Sequence, residues 1–195
     1  RLYPKLRQEF RKSKYKELKF EVINKKNTKD KDITNYFEKY KKFHFLSAGK
    51  VTRPKKSWEL MKKDLHSGYS SLFVLKSSEE KDLSFLYCFE HKKFSLAASQ
   101  TNTKEKKYLN KLMLRHYLEQ QTINFYKTNG YEHYEVGQTY FFDKNFLKFE
   151  KKHKRIGIGK LKFGGDLYPV HYFRFSLKNK SVFDANHKFV VENEF

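Results

Sequence analysis

Three apolar runs, YSSLFVLKS, KDLSFLYCFEH and KKFSLAASQ, succeed one another between Tyr69 and Gln100 with only short charged turns between them. Runs of this length, rich in Phe, Leu, Val and Tyr, read as strands, and joins this short make consecutive strands antiparallel. The next segment, KEKKYLNKLMLRHYLEQQTINFYKTNG, changes to a helical period. It predicts one long helix from about Lys104 to Asn129, with Leu109, Leu112, Met113, Tyr117, Ile123 and Phe125 on its buried side and Asn129-Gly130 as its stop. YEHYEVG then reads as a further short strand. A meander that feeds a helix and then another strand is an α+β layout: a mixed, mostly antiparallel sheet with a long central helix across one face.

Upstream, LYPKLRQEFRKSKYKELKFEVIN carries Leu6, Phe10, Leu18 and Val22 and reads as a lysine-rich helix, or as a helix followed by an extended piece. KKNTKDKD is a charged break, after which ITNYFEKYKKFHFLSAG starts a second helix at Thr34. RPKKSWELMKKDLHSG is a third: Pro54 sits near its start, Trp58, Leu60, Met61 and Leu65 form its apolar side, and Gly68 closes it. Downstream, DKNFLKFEKKHK is a helical turn or a loop, and VHYFRFSL is a last strand. There is no internal repeat and no low-complexity linker. The 195 residues therefore read as a single domain, with a helical segment over about residues 1–45 and a core over about 46–180.

The chain carries 43 Lys and Arg against 22 Asp and Glu, a formal net charge of +21. Such a balance draws it to polyanions: nucleic acid, anionic membrane surfaces or phosphorylated substrates. A lysine-rich surface with no selected partner accounts for the same numbers, since net charge speaks to association and not to fold. Aromatic residues make up 18% of the chain, enough large rings to build a packed core and to argue against disorder. The lone Cys88 excludes an internal disulfide and a multi-cysteine zinc site, and inside LSFLYCF it reads as a small core residue. His44, His66, His91 and His133 are too scattered to suggest metal ligands. No run approaches the roughly 18 apolar residues of a membrane-spanning helix, and no signal peptide opens the chain. The expected location is the cytoplasm, with peripheral contact at the membrane surface.

RIGIGKLKFGG places four glycines, one arginine and two lysines within residues 155–165. A glycine loop holds phosphate when it leads from a strand into the N-terminus of a helix. Here the glycines lead to Asp166, Leu167, Tyr168 and Pro169 and then to a strand-like run, so the nucleotide-cradle reading fails on context. Two uses of the stretch stand. It is a bend between the last strands that approaches a substrate, or a β-bulge whose lysines point into water.

The element order is that of the GNAT N-acetyltransferase fold, in which a central helix follows the fourth strand. Three stretches narrow the likeness. AGKVTRPKKSWELMKKDLHSG resembles a segment reading A-G-R-V-T-R, then T-W-E and a helix ending in G, with Lys50 in place of an Arg. RHYLEQQTINFYKTNGYEHYEVG resembles H-x-L-x-W-x-x-I followed by K-x-x-G-Y-x-x-Y-E-x-G, with Gln120 or Gln121 near the Trp position. IGIGKLKFGGDLYP resembles F-K-x-G-F-G-G-E. In this order, over roughly Arg7 to Phe175, they resemble the Fem-type acyltransferases, peptidoglycan-bridge peptidyltransferases and related proteins of surface-glycan loci that carry GNAT-like domains. The resemblance implies acyl or aminoacyl transfer to an amine on a cell-envelope glycan or peptidoglycan precursor. Fem-type enzymes usually have an additional N-terminal region, so the chain is read as the C-terminal half of a longer one.

Acyl transfer to an amine needs a base, or a neutral amine held against an activated ester or thioester. Against the resemblance, Glu135 and Asp166 are the candidate catalytic carboxylates, and His116 matches the helix histidine, as catalyst or as satisfied core residue. Arg53 pairs with Glu135 or a substrate carboxylate, or only supports a helix entry. Lys160 and Lys162 supply charge to an acceptor phosphate beside Gly164 and Gly165. The acceptor so implied is a phosphorylated, nucleotide-linked or lipid-linked glycan. A standard GNAT holds acetyl-CoA by backbone amides between the fourth strand and the long helix. That junction here, AASQTNTKEKKYLN, offers Ser99, Thr101 and Asn102 to a donor but has no Q/R-x-x-G-x-G/A motif. The expected donor is therefore aminoacyl-tRNA rather than acyl-CoA, in keeping with the charge. The competing class is a non-catalytic, basic nucleic-acid-binding or structural protein on a GNAT-like scaffold.

Overall fold

The computed structural model describes residues 2–137 and 151–166, with side chains over 2–137 and 155–166. These residues belong to two units. One is Pro4–Gly137; the other comprises Arg1–Tyr3 and Gln138–Phe195.

Pro4–Gly137 is built on a five-stranded sheet in the order β1-β2-β3-β4-β5. Its strands are β1 (Lys19–Ile23), β2 (Ser70–Lys76), β3 (Asp82–His91), β4 (Phe94–Asn102) and β5 (His133–Glu135). The first four pair antiparallel, and β5 runs parallel to β4. Strands β2, β3 and β4 match the three apolar runs. Every residue of β2 is buried, as expected of a central strand covered on both faces.

Period-two alternation sorts the sheet's side chains into two cores. Leu72, Val74, Phe85 and Tyr87 face α2 (Asp30–Ala48) and α3 (Lys55–Ser67), meeting Ile33, Phe37, Tyr40, Trp58, Met61 and Leu65. Phe73, Leu75, Leu86 and Cys88 face Leu118 and Tyr126 of α5 (Leu114–Thr128). The thiol of Cys88 is fully buried, and that burial pushes its pKa well up. Helix α3 matches its expected span and ends at Gly68, whose φ of 79° a side chain tolerates poorly. Trp58, Met61 and Leu65 are buried, but Leu60 is exposed because it lies on the outer side of the same helix.

Of the two readings of the N-terminal segment, the helix followed by an extended piece holds: α1 (Pro4–Phe10) and a 3-10 turn over Ser13–Tyr15 precede β1, which pairs with β2 from Lys19↔Lys76 to Ile23↔Leu72. Its KFEVI alternation is weak beside the lysines around it, and the exposed edge of β2 settles it as strand. Other expectations need correction. Helix α2 starts at Asp30 instead of Thr34, with Asp30 and Asp32 in its first turn, where carboxylates favour the positive end of the helix dipole.

The single long helix is also interrupted. A one-turn α4 (Lys106–Leu109) precedes α5, and Met113 at φ −87°, ψ 57° is not helical. The break lets Tyr108 and Leu114 both reach Leu83 in a small third core. It also rotates the buried side to Leu114, Leu118, Glu119, Thr122 and Tyr126, while Leu109 is exposed. Polar residues on a buried stripe hide it from a periodicity reading. Glu119 is tolerated there because the Tyr134 hydroxyl donates to it.

RIGIGKLKFGG is not a bend between strands. Lys151–Leu161 is a helix, α6, and Gly157 and Gly159 lie inside it despite a cost of about 1 kcal/mol each relative to Ala. The chain leaves it through Phe163 N→Lys160 O (3.1 Å) and Gly164 N→Leu161 O (3.0 Å), with Gly164 and Gly165 at φ 76° and 96°. The glycine pair therefore follows the carbonyl end of a helix, which disfavours an anion. VHYFRFSL and the first part of DKNFLKFEKKHK lie outside the described residues.

Tyr40 joins the larger core to the sheet: its ring meets Phe37, Trp58, Phe85 and Tyr87, and its hydroxyl donates to Ser99 Oγ at 2.7 Å. Tyr40→Phe should cost about 1 kcal/mol and Phe85→Ala about 3–5 kcal/mol, both read from urea unfolding midpoints.

Candidate functional site

Strand β4 carries a bulge. Its register with β3 jumps from Tyr87↔Ser99 to Cys88↔Ala97, leaving Ala98 as the extra residue. A bulge bends its strand and re-aims the residues beyond it. On the other side β4 pairs with β5 only at Phe94↔His133, Ser95↔Tyr134 and Leu96↔Glu135. The six residues from Ala97 to Asn102 then run on with no strand partner on that side among the described residues. A length of backbone edge is thereby left open beside the end of β5.

The expected donor residues lie on this stretch, but their side chains are engaged inside the fold. Ser99 is buried and accepts from Tyr40, and Thr101 is buried. Asn102 accepts from Ser84 Oγ through Oδ1 (2.6 Å) and from Ser47 Oγ through its carbonyl (2.9 Å). What β4 presents on its open side is backbone. Gln100, which the sequence did not single out, ties β4 to the start of α5: its Nε2 donates to Arg115 O at 2.9 Å. Its Oε1 is buried with no donor among the described residues.

Glu135 ends β5 with its side chain exposed, opposite Leu96. His116 is half-buried in the first turn of α5. Lys160, Lys162, Gly164, Gly165 and Asp166 all belong to the other unit, at and beyond the end of α6. A Cβ built on Gly165 meets nothing within 4 Å, so its left-handed backbone, and not crowding, is what resists a side chain there.

Arg53 does not pair with Glu135. It stands in a pocket of about 400 Å³ formed by the end of α2, residues 49–54 and the start of α3. Its guanidinium lies 5.2 Å from the Trp58 ring centre, and Nη1 is 3.1 Å from His44 Nε2. Arginine only donates, so His44 Nε2 must accept, and Nδ1–H then donates to Thr52 Oγ1 at 3.2 Å. Burial, and after it the Arg53 charge, hold the His44 pKa below its ordinary 6.5. The sequence reading passed over His44 because it sought metal ligands. The available signal was its place one helical turn after Tyr40, on the side that meets Trp58.

Six successive amides of the junction between β4 and α5 are bonded within the protein. The amides of Tyr108 and Leu109 donate to Glu105 O, Asn110 to Lys106 O, Lys111 and Leu112 to Tyr108 O, and Met113 to the Tyr15 hydroxyl.

No family model matches the chain, and no curated protein matches its sequence. Solved structures match its fold. An aminoglycoside acetyltransferase from an uncultured soil metagenomic sample, in complex with sisomicin, aligns with a TM-score of 0.54, covering 84% of this chain and 99% of its own at 15% identity. A probable acetyltransferase aligns at 0.53, covering 82% and 99% at 10% identity. The C-terminal domain of a putative lysylphosphatidylglycerol synthetase from Agrobacterium fabrum aligns at 0.50, covering 70% of this chain and 41% of that one at 14% identity. The fold is that of the GNAT acetyltransferases.

In a GNAT fold the β4–α5 junction is where a coenzyme A diphosphate would need backbone N–H donors. The six successive amides from Tyr108 to Met113 all have protein acceptors, and residues 103–113 contain no glycine to let backbone approach a phosphate. That leaves the first turn of α5, which has no side-chain cap, as the part of the junction that could still meet such a group. Among the described residues, no helix is long and apolar enough to cross a membrane.

His44 supplies a pH test. Its folded pKa lies below 6.5, so as pH falls through that window the unfolded chain takes up a proton before the folded one, and stability drops. The stability advantage of wild type over His44→Gln should hold above pH 6.5 and shrink below it, measured by urea unfolding at a series of pH values. Imidazole NMR should place the His44 midpoint below its ordinary 6.5.

Proposed function

We propose that this protein is an N-acyltransferase that joins an activated aminoacyl or acyl group to an amine where β4 and β5 part. The observation that carries this is the open β4 edge from Ala97 to Asn102, running past the end of a parallel pair that stops at Leu96↔Glu135. An extended donor laid along that edge hydrogen-bonds to backbone. Proteins of this fold include one named as an aminoglycoside acetyltransferase, which supports transfer to an amine, and one named as a putative lysylphosphatidylglycerol synthetase, which supports an aminoacyl group as what is moved.

The reaction needs little covalent help from the protein. A neutral amine held against the activated carbonyl forms the new C–N bond, and the C–O or C–S bond of the donor breaks as the tetrahedral intermediate collapses. The amine's extra proton passes to a base and then to the leaving group. Glu135, exposed at the end of β5, is that base in this reading. The donor is aminoacyl-tRNA: residues 103–113 hold no glycine that would let backbone approach a coenzyme A diphosphate, and the +21 charge suits contacts to a phosphate backbone. The acceptor is an amine on a phosphorylated, nucleotide-linked or lipid-linked envelope glycan, as the three stretches resembling the Fem-type enzymes suggest.

The purified protein should transfer a radiolabelled aminoacyl group from charged tRNA to an aminosugar phosphate, and should leave acetyl-CoA intact. Glu135→Gln should lower kcat by about 100-fold with KM little changed, the pattern of an interaction made only in the transition state. Turnover of acetyl-CoA alone would overturn the donor assignment, and wild-type kinetics in Glu135→Gln would overturn that of the base.

A further inference from the structure

The pocket between the end of α2 and the start of α3 collects charge of one sign. Lys41, Lys42, Lys50, Arg53 and Lys55 line it, against a single carboxylate, Glu38. Glu38 is already shared between Lys62 at 3.3 Å and Lys41 at 3.9 Å. Arg53 has no carboxylate within ion-pair distance among the described residues, although it is half-buried against Trp58 and His44. A partly desolvated guanidinium held on one side by a neutral imidazole and on its face by an indole keeps most of its five N–H donors for something else. Phe45 and Val51, both largely exposed, add apolar surface at the same pocket. A structural brace would not need four lysines around it, nor leave Phe45 and Val51 uncovered.

We propose that this pocket binds a phosphate ester of a small organic molecule, its phosphate on the Arg53 fork with Lys42 and Lys50 beside it, and its organic part against Trp58, Phe45 and Val51. Arginine presents parallel donors that match two phosphate oxygens, which ammonium groups do not. The first turn of α3, which begins at Lys55 with no acidic residue and no side-chain cap, turns its positive end to the same space. The pocket lies on the α2–α3 side of the sheet, and α2 is bonded to β4 through Tyr40→Ser99 and Ser47→Asn102. The ligand's name as acceptor rests on the transferase reading; its binding does not.

Trp58 is the one tryptophan in the chain, so its emission reports this pocket directly. Glucosamine 6-phosphate, glucosamine and inorganic phosphate are titrated separately at low ionic strength, with no donor present. Glucosamine 6-phosphate should change Trp58 emission saturably and glucosamine should not, while inorganic phosphate should bind about tenfold or more weakly, since it lacks the part that packs on the rings. Arg53→Lys should weaken the ester about 10- to 100-fold, as expected for loss of a charge-assisted fork. Lys42→Ala and Lys50→Ala, at exposed positions where folding is safe, should each weaken it severalfold. Binding should also raise the His44 midpoint in NMR, because an anion beside Arg53 favours the imidazolium. No saturable response, or equal affinity in wild type and the Lys42→Ala and Lys50→Ala variants, would overturn the proposal. Equal affinity for inorganic phosphate and the ester would overturn the seating of an organic part. A protein that binds the ester but transfers nothing from any donor would sink the transferase reading and leave this site standing.

Discussion

Leu72, Val74, Phe85 and Tyr87 lie on one face of the β2–β3 pair and Phe73, Leu75, Leu86 and Cys88 on the other, so apolar surface has to be covered twice. Burying each such side chain contributes about 1.5–3 kcal/mol, and no other feature of Pro4–Gly137 is of comparable size. The two coverings differ in kind. Helices α2 and α3 bring an aromatic cluster around Tyr40 and Trp58, whereas α5 brings Leu118 and a set of phenols. Tyr126 and Tyr131 both donate to Glu90 on β3 (2.8 and 2.9 Å), and their burial pushes both phenol pKa values up. A carboxylate at the edge of this core is thereby satisfied by hydroxyls instead of by a lysine.

Most of the positive charge contributes little to the fold. Pairs such as Lys25–Asp30 at 2.8 Å are exposed, where solvent screening leaves roughly 0–1 kcal/mol. Lys76 is the exception. It is buried in β2 and reaches Glu21 of β1 at 2.8 Å and the Tyr36 hydroxyl of α2 at 3.0 Å. Burial works against its charge, yet the hydrogen bonds it donates to Glu21 and Tyr36 hold its pKa above the ordinary value. One cation therefore ties together β1, β2 and α2. Arg53 has the opposite situation, a half-buried charge held by an imidazole and an indole with no carboxylate within ion-pair distance among the described residues, and the difference separates a structural cation from one available to a ligand.

The sheet and the site are linked through β4. It pairs with β3 along one edge, its bulge at Ala98 redirects the strand, and its far half has no strand partner on the other edge among the described residues. Among the described residues, that edge is left unpaired because pairing with β5 stops at Leu96 while the strand continues to Asn102. Gln100 holds α5 against this edge, and Tyr15 closes the junction by accepting the Met113 amide at 2.9 Å. The donor readings of the site depend on those two contacts.

The sequence by itself determined the meander, the α3 helix with its Gly68 stop, the burial of Cys88 and the α+β class, because each rests on local period or on a terminator residue. It also located Arg53, Glu135 and the β4–α5 junction as places of interest, through motif resemblance. Only the tertiary structure decided what those residues touch. The rotation of α5 came from Leu83, far away in sequence, drawing in Tyr108 and Leu114 together. The strand β1 formed because β2 offered an edge, and α6 took in two glycines that local propensity would exclude. Ser99 and Asn102 were legible as polar groups on a strand, yet whether they faced a ligand or the core depended on Tyr40, Ser47 and Ser84 lying opposite. His44 and Trp58 looked like separate residues on separate helices. Their meeting around Arg53 is a consequence of how α2 and α3 pack on one sheet, and distance along the chain carries no record of that.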